Sequence, residues 1–90
     1  MKILEVVAYG TSFSEGTNLD VIGDDLAVGD QLSIRHPTTP IQAGTVVSLA
    51  GTEAVIEVGG VRWLLQRTVV AHTEPDNLRR RSWRIDRKAE

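Results

Sequence analysis

The chain contains no cysteine among its 90 residues, which excludes a disulfide framework and any thiolate-based zinc or redox centre. It has two histidines, His36 and His72, and neither belongs to a ligand-like cluster, so both are expected in loops. No apolar run approaches the length needed to span a bilayer. The N-terminal Met1-Lys2-Ile3-Leu4-Glu5 places an acid where a signal peptide requires continuous apolar residues. These absences point to a soluble protein with no membrane contact, and to the cytoplasm as its default compartment.

What is present is the composition of an ordinary globular chain, 41% hydrophobic and 24% charged, long enough for one modest core. The net charge of -2 conceals an uneven distribution. Residues 1–30 carry one base, Lys2, against six acids, Glu5, Glu15, Asp20, Asp24, Asp25 and Asp30. Residues 77–90 carry six bases, Arg79, Arg80, Arg81, Arg84, Arg87 and Lys88, against Asp86 and Glu90. Either the tail folds back on the acidic front half, or it is offered to an anionic partner.

Two hairpins can be registered by counting. Gly59-Gly60 suits a two-residue turn that needs positive φ, so Val58 faces Val61, Ile56 faces Trp63 and Ala54 faces Leu65. Glu57 then meets Arg62, and Glu53 meets Gln66, on the opposite face. A turn at Gly51-Thr52 sets Leu49 against Ala54 and Val47 against Ile56, on the same inner face. Two independent registers that agree specify a three-stranded meander, because a slip of one residue would turn either core face to water.

Upstream, residues 31–35 alternate with Leu32 and Ile34 inward, and residues 2–9 read as a strand rich in Ile, Val and Leu. Gly10 to Asn18 and Gly23 to Asp30 have turn chemistry. His36-Pro37-Thr38-Thr39-Pro40 imposes a loop, because two prolines remove donors and hold their neighbours extended. No helix longer than two turns is expected before residue 74. Leu26-Ala27-Val28-Gly29-Asp30-Gln31-Leu32, then Ala43-Gly44-Thr45-Val46-Val47, then Ala54-Val55-Ile56-Glu57-Val58 resembles the SH3-like small barrels, including KOW-type domains of ribosome and transcription proteins. The resemblance covers roughly residues 26–66. It implies an all-β fold: a small antiparallel five-stranded barrel over residues 1–72, followed by a polar, Arg-rich extension over 73–90. The expected core is Leu4, Val6, Leu32, Ile34, Val47, Leu49, Ile56, Val58, Trp63 and Leu65, with Trp63 as its largest anchor.

Chemistry-bearing residues are few. In the tail, Arg79, Arg80, Arg81 and Arg84 suit phosphate contacts, and the interleaved Trp83 suits stacking on a base. The bland alternative makes Trp83 and Ile85 a last strand, with the arginines solvated or paired to the acidic front half. The basic residues usual beside the glycine of KOW-type domains are missing around Gly44. Asp20, Asp24, Asp25 and Asp30 lack the spacing of an EF-hand and read as a solvated turn, with Asp30 bonding backbone amides. Ser12 and Ser14 lack the spacing of a nucleophile elbow, and no phosphate-cradling loop opens a helix. The Val-Gln-x-Tyr motif of the plasmid-borne type II dihydrofolate reductases is also absent, the corresponding strand reading Val61-Arg62-Trp63-Leu64-Leu65-Gln66. On the outer sheet face, Ser48, Val55 and Leu64 fall side by side, leaving the apolar pair Val55 and Leu64 for the tail, the first strand or a second copy to cover.

These residues lead to a non-enzymatic binding or assembly module that needs no cofactor and no metal. It would meet a protein partner, or itself, through the outer sheet face. Two other readings stand beside it: a nucleic-acid-binding accessory protein acting through the tail, and a small oligomeric enzyme with its site at a subunit interface.

Overall fold

Alternation of apolar and polar residues produces seven strands, seen in a computed structural model that describes residues 2–10, 13–68 and 80–89, Arg80 by its backbone alone. They are β1 (Ile3–Ala8), β2 (Asn18–Ile22), β3 (Gln31–His36), β4 (Thr39–Ala50), β5 (Glu53–Val58), β6 (Val61–Arg67) and β7 (Arg80–Lys88). They close into a barrel in the order β1-β2-β7-β6-β5-β4-β3. The fold is all-β, with no helix among the described residues. The strand count is seven rather than five, and one pairing, β1 with β3, is parallel.

The two strands beyond the five expected are β2, whose residues 19–22 lie between the two segments read as turns, and β7, the last strand that Trp83 and Ile85 offered as an alternative to a solvated tail. β2 alternates Leu19 and Val21 inward. Residues 80–88, placed by sequence in an extension, form β7 between β2 and β6. Trp83 and Ile85 on β7 enter the core, Trp83 retaining 2% of its surface. Residues 69–79, which join β6 to β7, lie outside the described residues, as do 11 and 12.

The β5–β6 hairpin has the register that counting predicts, from Val58 against Val61 to Glu53 against Gln66. Its turn residues Gly59 and Gly60 have φ of 59° and 80°, a conformation that side chains other than glycine's rarely tolerate. Leu49 faces Ala54 as expected, but a bulge between Val46 and Ser48 shifts the rest of β4 by one residue. Val46, not Val47, therefore opposes Ile56 and is buried, while Val47 is only half-buried. Leu49 has the inward orientation yet stands at the barrel rim, one pair from the hairpin tip, and stays exposed. The proline-bounded loop is shorter than expected: only residues 37 and 38 make the turn, and β4 begins at Thr39.

Gly44 marks the tightest approach in the wall. A Cβ there would meet Val58 Cγ2 at 3.1 Å, the Glu57 carbonyl oxygen at 3.2 Å and Ile34 Cδ1 at 3.3 Å. At one end of the barrel, residues 13–17 pack beside β7 and Trp63. Gly16 N–H donates to the Ile85 carbonyl at 2.7 Å, Ile85 N–H donates to the Thr17 carbonyl at 2.9 Å, and Phe13 sets its ring edge-on to Trp63. Lys88 lies over the Trp63 ring from outside.

Candidate interaction surfaces

The basic tail and the acidic front half meet in the folded chain. Arg81 points inward at the opposite rim and donates from Nε to Asp25 Oδ1 at 2.7 Å, with Arg67 Nη2 3.6 Å from the same oxygen. Arg67 also lies over the Trp83 ring, 5.9 Å from its centroid. Asp20 accepts from Ser82 Oγ and from Tyr9 Oη, both at 2.8 Å. Of the residues singled out for nucleic acid, Arg79 lies outside the described residues, and only the backbone of Arg80 is described. Arg81 is ion-paired, Trp83 is buried with its ring inside the barrel, and Arg84 points outward, exposed. A base cannot stack on Trp83 unless the barrel wall opens.

The four aspartates likewise go to different partners, except that Asp24 and Asp30 share Lys2. Asp30 is buried and accepts from the backbone N–H groups of Lys2 and Ala27, both at 3.0 Å, while the Lys2 ammonium stands 3.5 Å away and also reaches Asp24. The Lys2 backbone N–H holds the Asp30 carboxyl below the usual carboxylate value, with the Lys2 charge and the Ala27 N–H in support and burial opposing them. This carboxylate ties the turn before β3 to the start of β1. Among the described residues no group of three or more His, Cys, Asp or Glu side chains gathers as metal ligands do.

His36, expected in a loop, is instead the buried last residue of β3, its Nδ1 3.3 Å from Thr38 N and 3.1 Å from Thr38 Oγ1, and its Nε2 has no partner among the described residues. His72 and Ser12 lie outside the described residues. Ser14 N–H caps back onto Thr17 Oγ1, a loop contact.

Two outer surfaces remain. Val55 and Leu64 are cross-strand partners on the outer face, as counting places them, with Ser48 beside Val55 and Arg87 beside Leu64. Both are half-buried, so the barrel wall itself covers part of this pair. The other lies on β1, β3 and β4, where a groove of about 460 Å³, polar and apolar in nearly equal part, runs past Ile3, Gln31, Ile41, Ala43, Thr45 and Glu57. Ile3 is 75% exposed and Ile41 63%.

Beside this groove β4 has an open edge. β3 pairs with β4 from His36–Thr39 to Gln31–Thr45, with a register shift between Ile34 and His36, but the ladder to β5 stops at Gly44–Val58. Residues 39–43 therefore have β3 on one side and, among the described residues, no paired strand on the other. Val46 N–H donates to the Asp30 carbonyl on the β3 side at 2.9 Å. Strand alternation from Val46 turns the backbone groups of Thr45 and Ala43 the other way. Thr45 meets β5 there, and Ala43 lies beyond the ladder's end. This surface escaped the sequence reading because Pro37 and Pro40 made the segment look like loop. Its available signal was charge: residues 37–52 contain no ionisable side chain.

Comparison with models of known families, with curated proteins and with solved structures finds no match to this chain.

Proposed function

We propose that this chain is a non-enzymatic binding and assembly module that accepts an added polypeptide strand along the open side of β4. The observation that carries the reading is the coincidence of the unpaired stretch 39–43 with a groove flanked by Ile3 and Ile41. Strand addition uses those two features together, backbone bonds supplying affinity and neighbouring side-chain recesses supplying selectivity. Monomeric sheet proteins guard their edges with lysine, inward charge or short strands. Of the known devices this edge has Pro40 and a bulge between Thr39 and Gln42, but no charge.

A displayed library of unstructured ten-residue segments tests the reading. Enrichment of uncharged, β-branched segments that bind the chain and fail to bind Ile41→Lys is the expected result. No enrichment, or binding indifferent to Ile41→Lys, would remove this reading. Salt-sensitive binding of oligonucleotides instead would favour the tail, where Arg84 is exposed, over the β4 edge.

A further inference from the structure

We infer that the strand added to β4 is the same edge of a second copy of this chain, giving a twofold homodimer with a sheet continuous through both barrels. The inference rests on the assembly reading above and names its partner.

An antiparallel pairing centred on Ile41 sets Ile41 against its own copy, with the β4 bulge between Thr39 and Gln42 at the axis. Each side of a twofold contact presents the same residues to the other, so every charge near the axis meets its own kind. Like charges directly opposite across strands destabilise the pairing. A self-contact therefore demands an uncharged edge, whereas a foreign strand would tolerate charge and could use it for selectivity. Residues 37–52 meet that demand, with no ionisable group along the whole of β4.

The charges nearest the groove are already internally neutralised. Glu57 receives the Arg62 guanidinium at 3.3 Å, and Arg35 on β3 holds Glu5 on β1 at 3.1 Å. Neither pair needs a counter-charge from a partner. The apolar groups left in water, Ile3 and Ile41, border the same groove. The twofold would bring the copy's Ile41 to the axis and cover Ile41 on both copies, while Ile3, on β1 beyond β3, stays outside the contact. A five-residue edge with one isoleucine per chain is a small contact. Specific interfaces bury about 1,200–2,000 Å² and those below are weak or transient, so the association belongs in the micromolar range or weaker.

The test is light scattering of the full chain from low micromolar to near-millimolar concentration, with two variants mixed. The expected result is a mass that rises from 9.9 kDa toward its double. Ile41→Lys alone and Ile41→Glu alone should each stay monomeric, because each sets like charges across the axis. Their equimolar mixture should recover the dimer, since a lysine then faces a glutamate. Ile41 is largely exposed, so both variants should unfold in urea at the parent's midpoint, which separates loss of contact from loss of fold. A chain that stays at 9.9 kDa throughout overturns the inference. It leaves the assembly reading to the peptide library. Dimerisation that survives Ile41→Lys but disappears in Leu64→Glu overturns the β4 contact and transfers self-assembly to the Val55 and Leu64 face. Singly charged variants that dimerise as the parent does also overturn it.

Discussion

Replacing Trp83 by alanine should cost about 3–4 kcal/mol, and the figure follows from where β7 puts the ring. Trp83 retains 2% of its surface and lies in register with Leu19 of β2 and Arg67 of β6. A tryptophan buries ~150–250 Å², worth ~4–6 kcal/mol at about 25 cal/mol per Å², of which alanine keeps a small part. The Arg67 guanidinium over the ring adds ~0.5–1 kcal/mol. Against this, the indole Nε1 is buried with no partner among the described residues, and deleting an unpaired buried donor recovers ~1–3 kcal/mol. The balance lies at the lower end of the ~3–5 kcal/mol usual for loss of a buried tryptophan. Trp83→Phe should cost much less, because it removes the orphaned N–H and keeps most of the ring's volume. Urea unfolding at equilibrium measures both. A loss below about 1 kcal/mol for Trp83→Ala would refute the reasoning, since a ring of that value is not inside a barrel wall.

Two further outcomes follow from the wall and the rim. Gly44→Ala should destabilise by ~1–3 kcal/mol, because the added methyl meets the Glu57 carbonyl oxygen, which a strand cannot move aside, as well as Val58 and Ile34; an equally stable variant would show the β3–β4–β5 register to be wrong. Asp30→Asn should flatten the acid limb of stability. The folded-state carboxyl lies below its ordinary 3.8, so its contribution is whole above that value and is lost as the pH falls through the lower folded-state value. Urea midpoints of the parent and Asp30→Asn, measured from pH 6 to pH 2, should converge in acid, and parallel curves would show that Asp30 is not the group concerned.

The part of the fold legible in the sequence is the part whose register is local. The β5–β6 hairpin could be counted because Gly59-Gly60 fixes its turn and every inward pair is apolar. On β4 the count holds from the turn to Ser48 and then fails at the bulge, since Val46 and Val47 are both suited to the core and nothing local chooses between them. β2 and β7 were harder for a different reason. Besides their neighbours β1 and β6, they pair with each other across some sixty positions, as the Ser82–Asp20 bond shows with a separation of 62. The run Arg79-Arg80-Arg81 masks the alternation that Trp83 and Ile85 continue. The opposed charges of the two ends were visible, and their meeting at Asp25 and Arg81 is the folded counterpart of that asymmetry. The candidate site was legible at Val55 and Leu64, which lie on a hairpin. The β4 edge was not, because an open edge is defined by where another strand stops.

The measurement that bears most directly on strand addition at β4 is amide hydrogen exchange of the full chain at low and at high protein concentration. The amide of Ala43, turned away from β3, should exchange quickly at low concentration and become protected as concentration rises, while the amides of β5 and β6 stay protected throughout. Exchange at Ala43 that is independent of concentration, or new protection confined to the Val55 and Leu64 face, would contradict the account.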